Sequence, residues 1–188
     1  MKVILASASP RRQELIKRLF DEFLVIPADI VETLPEDVGP EFAPVFLAAE
    51  KAEAISSTYP EDLIIAADTI VLADGKILGK PGTRQEAIQM LQMLSGKTHK
   101  VITGCCLRKG DRFNSFAEET LVTFYELDKC EILSYVESGG ADGKAGAYGI
   151  QDGGALFAEK IDGDFYNVVG LPIARLNREI KMLLEDEK

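Results

Sequence analysis

Residues 3–12 read Val-Ile-Leu-Ala-Ser-Ala-Ser-Pro-Arg-Arg, an apolar run followed at once by the start of a helix. The apolar run, at residues 3–5, is typical of a short buried strand. Ser9 is a preferred N-cap, and Pro10 suits the first helical position because an N–H there would have no helical partner. The pattern therefore predicts a strand, a tight connection and a helix that continues to about Phe20.

Two arginines, Arg11 and Arg12, lie in the first turn of that helix, where the helix dipole favours acidic side chains. A local rule that is broken twice in succession is expected at a functional site. Free N–H groups at a helix start bind anions, arginine forks bind phosphate oxygens, and the hydroxyls of Ser7 and Ser9 precede the turn. The turn therefore predicts a phosphate site. The alternative is a surface helix that begins with two solvated arginines.

The composition is that of an acidic protein of ordinary hydrophobicity. The chain has 188 residues, 46% of them hydrophobic, so a single domain over residues 1–188 can bury a substantial core. Its net charge of −10 argues against a general nucleic-acid-binding surface, so a basic cluster within it indicates a pocket for a small anion. We find no apolar run that could span a membrane and no signal-peptide segment, and we expect a cytoplasmic protein without a membrane partner.

The cysteines and the single histidine form no recognisable disulfide or zinc pattern. Cys105, Cys106 and Cys130 are odd in number and two are adjacent, so we expect buried thiols in a reducing compartment. A histidine-ligated metal site or a Ser-His-Asp triad would depend on His99 alone. We expect His99 to be an ordinary strand residue.

Residues 62–72 read Asp-Leu-Ile-Ile-Ala-Ala-Asp-Thr-Ile-Val-Leu, an apolar strand that Asp68 interrupts. A carboxylate in such a strand is costly unless it is paired, hydrated or bound to a metal. Because Asp68 lies in mid-strand with Thr69 beside it, we interpret it as a functional group. The alternative is a structural aspartate held by backbone amides.

Two lysines are weaker candidates, since each is also explained as a solvated charge. Lys51 lies in a helix predicted over residues 44–57. Lys80 lies in a loop between Gly79 and Pro81, which fix the direction of its backbone. A lysine in either place can also serve as a point charge for a phosphate.

Residues 139–154 contain seven glycines in sixteen positions, far above the average, and are predicted to be irregular backbone shaped for a function. Gln151 in this segment carries an amide that can both donate to and accept from the edge of a base. The alternative is a flexible linker, against which anchoring residues such as Tyr148 argue. After it, residues 156–161 and 165–169 are predicted to form a β-hairpin.

Strand-like and helix-like segments alternate along the chain, without an internal repeat or linker. Asp74-Gly75 predicts a hairpin turn, and Thr83 with Glu86 predicts a capping box at a helix start. This order predicts an α/β fold with a mixed twisted sheet, flanking helices and two lobes around a cleft.

Seven segments of the chain, in this order, resemble the Maf family of nucleoside triphosphate pyrophosphatases. Each is weak alone, but the ordered set covers nearly the whole chain and is highly specific. The segments are Ser7-Ala8-Ser9-Pro10-Arg11-Arg12, Glu50-Lys51-Ala52, Ala67-Asp68-Thr69, Gly79-Lys80-Pro81, Leu94-Ser95-Gly96-Lys97-Thr98-His99, Lys144-Ala145-Gly146-Ala147-Tyr148-Gly149-Ile150-Gln151 and Val169-Gly170-Leu171-Pro172.

The resemblance implies an enzyme that hydrolyses a nucleoside triphosphate to the monophosphate and pyrophosphate with a divalent metal, Mg²⁺ or alternatively Mn²⁺. It implies a fold similar to that of inosine triphosphatase, and often a homodimer. Arg11, Thr69 and Gln151 match the branch that prefers dTTP and UTP, with modified pyrimidine nucleotides as further candidates, whereas the 7-methyl-GTP branch differs at the first and last positions. One departure is Gly79, where the family often has glutamate.

The resemblance also implies a role for each candidate residue. Asp68 would act as general base on the attacking water, or as a metal ligand that holds this water, and Glu32 would be the second metal ligand. Two other functions remain open: a pyrophosphatase for 7-methyl-GTP or another non-standard nucleotide, and a non-catalytic nucleotide-binding regulator of cell division. In the enzyme, the residues that bind substrate would be Ser7, Arg11, Arg12, Lys51, Thr69, Lys80 and Gln151.

Overall fold

The computed structural model describes residues 1–185, and the last three residues lie outside the described part. Its strands are β1 (Val3–Leu5), β2 (Leu24–Val25), β3 (Leu63–Ala73), β4 (Lys76–Leu78), β5 (Thr98–Lys109), β6 (Arg112–Phe124) and β7 (Ala158–Asp162). Its α-helices are α1 (Pro10–Ile16), α2 (Ala43–Ser56), α3 (Arg84–Leu94), α4 (Lys129–Glu137), α5 (Phe165–Val169) and α6 (Ile173–Glu185). Two 3-10 helices occupy Ala145–Ala147 and Gly153–Phe157.

The strands form a mixed sheet. Hydrogen bonds order six of the described strands as β2-β1-β3-β5-β6-β7, and β4 pairs with β3. Strand β1 runs parallel to both neighbours, with Ile4 opposite Leu24 on one side and Ile64 on the other. The pairs β3–β4 and β6–β7 are antiparallel. The predicted α/β fold with a mixed sheet is confirmed.

The chain divides into two compact units, in agreement with the two predicted lobes. Unit 1 comprises residues 1–68, residues 103–118 and the chain from residue 170 onward. Unit 2 comprises residues 69–102 and residues 119–169. Strands β3, β5 and β6 contribute residues to both units. The predicted cleft between the lobes stays a prediction.

Small side chains bring helix α2 close to the strands of unit 1. A Cβ atom at Gly104 of β5 would lie 2.2 Å from the carbonyl carbon of Pro44, so glycine alone permits this approach. Lys51 lies on the same helix. The buried cluster that the helix shares with the strands consists of Ile4, Ala6, Ala48, Ala52, Ile64, Ala66 and Cys106.

Unit 2 contains a core of aromatic rings packed edge to face. The rings of His99 and Tyr148 contact Phe124, with centroids 4.9 and 4.8 Å away, and the ring of Tyr135 lies 4.9 Å from that of Phe157. His99 Nε2 lies 2.8 Å from the Tyr148 hydroxyl oxygen. His99 is a strand residue, as predicted, and its burial lowers its pKa to about 4.

Helix α1 begins as predicted but ends at Ile16 instead of Phe20. Beyond Ile16, the N–H groups of Arg18 and Leu19 bond to carbonyl groups three residues earlier, which is 3-10 geometry. The apolar residues that predicted a longer helix, Leu19 and Phe20, lie in or just after this tighter turn and are half-buried.

The hairpin predicted over residues 156–169 is wrong, because residues 165–169 form helix α5. Asp164 caps this helix: its Oδ1 accepts a hydrogen bond of 2.8 Å from the N–H of Tyr166. The buried amide of Asn167 in the same helix donates to the Thr120 hydroxyl at 2.8 Å. Asp164, which lies between the two predicted strands, starts a helix instead.

The cysteines are not all buried, in contrast to the prediction. Cys105 and Cys106 are buried, but Cys130 is exposed in the first turn of α4. The buried residues of that helix begin at Ile132, so Cys130 precedes its buried face. Across residues 1–185, every helix falls short of the length and hydropathy that crossing a bilayer requires.

Candidate active site

The guanidinium group of Arg12 is held at two points in unit 1. Its Nε donates to the backbone carbonyl of Gly170 at 2.8 Å, and its Nη1 donates to Ser7 Oγ at 3.2 Å. The backbone N–H of Arg12 donates to Ser9 Oγ, the predicted N-cap, at 3.5 Å. Two contacts on one planar group fix its orientation, so Arg12 can meet a phosphate without reorganising.

Charges around Arg12 show which side chains share its surroundings. Burial lowers the pKa of the guanidinium group; the Asp68 carboxylate opposes this most strongly, Arg11 adds to the lowering, and Glu32 opposes it more weakly. The predicted base therefore lies within electrostatic reach of the arginine turn. This is the juxtaposition that a phosphate site with a catalytic carboxylate requires.

Lys51 forms an ion pair with each of the two predicted acids. Its Nζ lies 2.6 Å from Asp68 Oδ1 and 2.7 Å from Glu32 Oε1. The side chains of Lys51 and Asp68 are only 12% and 15% exposed, whereas that of Glu32 is 49% exposed. Lys51 is therefore a paired, largely buried cation and not a solvated helix lysine, and Asp68 is tied to a side chain and not to backbone amides alone.

The two carboxylates fit a metal that completes its shell from the substrate. Both hold one cation already, the Lys51 ammonium group, and both offer the oxygen ligands that Mg²⁺ prefers. Within residues 1–185, no group of three or more His, Cys, Asp or Glu side chains is placed to hold an ion. Asp68 and Glu32 thus suit a metal bound by one or two carboxylates, water and phosphate oxygens, which is common for Mg²⁺.

Unit 2 contains the other three predicted residues. Thr69 is half-buried in β3 directly after Asp68, and Lys80 is exposed in the loop after β4. Gln151 is exposed in the turn between the two 3-10 helices. The carbonyl of Gly79, beside Lys80, accepts a hydrogen bond of 3.1 Å from the N–H of Gly146. This bond connects the Lys80 loop to the glycine-rich segment that carries Gln151.

The glycine-rich segment is more regular than predicted. The 3-10 helix Gly153–Phe157 begins in it, whereas the short turn Ala145–Ala147 has left-handed backbone at Gly146 and Ala147. Gly146 has a φ of 68°, and a Cβ atom there would lie 2.8 Å from a methyl carbon of Val71. Glycine is needed at this position for close packing, so the segment is neither irregular throughout nor a flexible linker.

The sequence did not predict that Gly170 contacts Arg12 at the site. Gly170 has a φ of 121°, a conformation that other residues rarely adopt, and it presents its carbonyl to Arg12 from 158 positions along the chain. The Gly170-Leu171-Pro172 sequence indicated only the start of the last helix. Sequence position alone does not show which carbonyl a distant arginine will meet.

Comparison with known proteins shows which family the chain resembles. A family profile described as Maf-like protein matches residues 2–183. The dTTP/UTP pyrophosphatase of Carboxydothermus hydrogenoformans is 48% identical over 183 residues, which cover 96% of this chain and 98% of that protein. The dTTP/UTP pyrophosphatase of Bacillus cytotoxicus is 48% identical over 180 residues, which cover 96% and 94%.

A solved structure shares the fold. The structure of a HAM1 protein from Coxiella burnetii superposes with a TM-score of 0.56 at 16% sequence identity. The match covers 97% of this chain and 99% of that one. At this identity the likeness concerns the fold alone.

Proposed function

The chain belongs to the Maf family, and on that basis we propose that it is a dTTP/UTP pyrophosphatase. It breaks the anhydride bond between the α- and β-phosphates and releases a nucleoside monophosphate and pyrophosphate. The observation that carries the proposal is the pairing of Asp68 with Lys51 at 2.6 Å, within electrostatic reach of a fixed Arg12. The relatives named dTTP/UTP pyrophosphatase align over nearly their whole length and support the pyrimidine preference.

The cations of unit 1 bind the phosphates. Arg11, Arg12 and Lys51 together with the carboxylates of Glu32 and Asp68 leave one net positive charge in an acidic protein. Arg12 is already oriented by Gly170 and Ser7, so little ordering entropy is lost when it meets phosphate oxygens. Ser7 is therefore proposed both to orient Arg12 and to contact the substrate.

Asp68 and Glu32 would hold the divalent metal, with Mg²⁺ proposed over Mn²⁺. When bound, the ion would neutralise phosphate charge and lower the pKa of a coordinated water. A triphosphate carries several negative charges, which one net positive charge does not balance. The bound substrate therefore needs this additional cation. The resemblance to the family further implies a cytoplasmic homodimer. Light scattering of the purified protein tests the oligomeric state.

Asp68 is proposed to remove the proton from the attacking water. Its carboxylate lies in mid-strand with little exposure, where few waters compete for it. Lys51 compensates its charge and limits its motion through the 2.6 Å contact. A general base held in this way contributes about 10²- to 10⁴-fold to a rate.

Thr69, Lys80 and Gln151 are the other proposed substrate-binding residues. Lys80 supplies a further point charge for the phosphates, and Thr69 a hydroxyl next to Asp68. Gln151 is proposed to pair with the base, because thymine and uracil present one acceptor and one donor to an amide that offers both. The exposure of Lys80 and Gln151 leaves both side chains accessible to a ligand.

A panel of nucleoside triphosphates with Mg²⁺, scored for pyrophosphate release, tests the proposal. We expect dTTP and UTP to be hydrolysed with the highest kcat/KM. A preference for 7-methyl-GTP would replace the pyrimidine assignment with the other branch of the family. Tight binding of a nucleotide without turnover of any would replace the enzyme with a nucleotide-binding regulator.

A further inference from the structure

One nitrogen atom, Lys51 Nζ, contacts both carboxylates that are proposed to hold the metal. It lies 2.6 Å from Asp68 Oδ1 and 2.7 Å from Glu32 Oε1. Contacts of this length between charged groups are charge-assisted hydrogen bonds, which are stronger than bonds between neutral groups. The Lys51 ammonium group therefore lies in the position that a metal ion bound by the same two oxygens would take.

The ammonium group and a divalent ion cannot both lie between these two oxygens. Mg²⁺ holds its oxygen ligands at about 2.1 Å, which is shorter than either contact to Lys51 Nζ. An ion bound by Asp68 Oδ1 and Glu32 Oε1 would therefore overlap the ammonium group. An ion bound by the second oxygen of each carboxylate would lie close to a like charge, in a place where Asp68 is only 15% exposed and water screens charges poorly.

The packing of helix α2 leaves the side chain of Lys51, and not the helix, as the part that can move. Gly104 of β5 allows no space between the strand and Pro44 at the helix start, and Ala48 and Ala52 on the helix are fully buried. Lysine has a flexible stem of four carbons, so its ammonium group can move while the backbone stays in place. With a side chain only 12% exposed, an ammonium group that leaves both carboxylates needs another anion.

Phosphate oxygens are the anion that the substrate brings to this place. Asp68 lies within electrostatic reach of Arg12, whose guanidinium group is held by Gly170 and Ser7 and is proposed to bind phosphate. Because Lys51 contacts Asp68 directly, a phosphate bound by Arg12 lies in the surroundings of Lys51 as well. Lys51 therefore has two sets of anions available, the carboxylates of the protein and the phosphates of the substrate.

We infer that Lys51 competes with the divalent metal for Asp68 and Glu32, and that it moves from these carboxylates to the phosphates when the metal binds. The metal and the triphosphate then bind cooperatively, because the metal displaces Lys51 and the phosphates receive it. This inference rests on the proposed function, in which Asp68 and Glu32 hold the metal and Lys51 meets phosphate. Asp68 has a cation beside it before and after the exchange, so its charge stays compensated.

The exchange gives the removal of Lys51 opposite effects on two affinities. Without the ammonium group, Asp68 and Glu32 lose a competing cation, so the metal alone should bind more tightly. Without the same group, the triphosphate loses one of its cations, so the nucleotide should bind more weakly at saturating metal. A lysine that only stabilises the fold would weaken both kinds of binding when it is removed.

The first test titrates the protein with Mn²⁺ alone and measures free Mn²⁺ by electron paramagnetic resonance. Lys51→Met keeps an unbranched side chain but removes the charge, and we expect its Kd for Mn²⁺ to be about tenfold lower than that of the wild type, the size of one lost bond to a charged group. Lys51→Arg keeps the charge and should bind Mn²⁺ as weakly as the wild type. Lys17→Met, which removes the lysine of an exposed ion pair in unit 1, is the control and should keep the wild-type Kd.

The second test measures the binding of α,β-methylene-dTTP by calorimetry at saturating Mg²⁺, since the enzyme cannot cleave this nucleotide between the first two phosphates. We expect Lys51→Met to bind it about tenfold more weakly than the wild type. Thermal unfolding of the same variant gives a further measurement that does not depend on turnover. Mg²⁺ should raise the Tm of Lys51→Met more than that of the wild type, because the ion takes the place of the missing ammonium group between the carboxylates.

A measurement on the wild-type protein decides the question even where Lys51→Met does not fold. The nitrogen signal of the Lys51 ammonium group, recorded by NMR with ¹⁵N-labelled lysine, is assigned by its absence in Lys51→Arg. We expect this signal to shift when Mg²⁺ and α,β-methylene-dTTP are added together, because its anionic partners change.

The outcomes separate this inference from the proposed function. If Lys51→Met binds Mn²⁺ no more tightly than the wild type, or if the Lys51 signal is unchanged by Mg²⁺ and nucleotide, Lys51 does not exchange and the inference is overturned. The pyrophosphatase assignment then stands as long as the wild type hydrolyses dTTP. If the wild type hydrolyses neither dTTP nor UTP, the proposed function fails and the transfer to phosphates fails with it. The Mn²⁺ titration, which contains no nucleotide, still decides whether Lys51 competes with a cation for the two carboxylates.

Discussion

Different kinds of contact hold two regions of the molecule in place. One region is the cluster of Arg12, Lys51 and Asp68 in unit 1, and the other is the glycine-rich segment of unit 2, residues 139–154. In unit 1, Arg12, Lys51 and Asp68 come from separate elements and are held mainly by charge and by the distant carbonyl of Gly170. In unit 2, most of the order comes from rings and glycines close in sequence, with Tyr135 bonded to a loop that begins four residues later. We therefore expect changes in the first region to alter turnover, and changes in the second to alter stability or selection.

The largest effect is expected for Asp68→Asn. The amide keeps the shape of the side chain but cannot take a proton, so kcat for dTTP should fall about a thousandfold while KM changes little. Steady-state pyrophosphate release measures both constants. Asp62→Asn, immediately before the same strand, is the control and should retain activity. An Asp68→Asn enzyme with full activity would remove this residue from the mechanism.

The next effect concerns stability and belongs to unit 2. The pKa of buried His99 is about 4 in the folded protein and 6.5 in its ordinary state, so the unfolded chain takes up a proton first as the pH falls. The part of the free energy of unfolding that depends on neutral His99 should be fully present above pH 6.5. It should decrease by about 3 kcal/mol as the pH falls to 4.

Denaturant unfolding of the wild type and of His99→Gln at several pH values isolates this contribution. The variant lacks the titrating ring, so its stability should depend less on pH between 6.5 and 4. Parallel pH profiles for the two proteins would show that His99 does not contribute. Turnover of dTTP at neutral pH in the folded variant should stay close to that of the wild type.

A smaller effect on turnover is expected for Arg12→Lys. Lysine keeps the charge but cannot bond to Gly170 and Ser7 while it also contacts a phosphate, so kcat/KM for dTTP should fall about thirtyfold. Arg18→Lys, at an exposed arginine after the same helix, is the control. Equal activity of the two variants would show that charge alone, and not the held guanidinium, is required at position 12.

The smallest effect is expected for Glu32→Gln. Glu32 is about half exposed, so we expect its carboxylate to contribute less to the proposed metal binding than that of Asp68. The Mg²⁺ concentration for half-maximal activity should rise about fivefold, with kcat restored at saturating Mg²⁺. Glu36→Gln in the same loop should leave the Mg²⁺ dependence unchanged. A Glu32→Gln enzyme with wild-type Mg²⁺ dependence would exclude Glu32 as a ligand.

Sequence patterns predicted the elements whose signals are local. The cap at Ser9 and the strand around Asp68 depend on neighbouring residues and are confirmed. The error at residues 165–169 has a local cause too, because an aspartate before a short segment can start a helix as readily as it ends a strand.

The contacts that fix the site were not predictable in the same way. Lys51 looked like an ordinary helix lysine, and only the packing of α2 places it between Glu32 and Asp68. Likewise, the glycine count of residues 139–154 indicated an unusual backbone but not that Tyr135 fills the space. Long-range partners depend on the tertiary fold, which a one-dimensional pattern does not contain.

A crystal structure with Mn²⁺ and α,β-imido-dUTP, a substrate analogue that cannot be cleaved between the first two phosphates, will show whether Arg12 binds phosphate while Asp68 and Glu32 bind the metal. We expect phosphate oxygens at the Arg12 guanidinium and an anomalous Mn²⁺ peak at Asp68 and Glu32. A triphosphate bound away from Arg12, with the Lys51 contact to both carboxylates unchanged, would contradict this expectation.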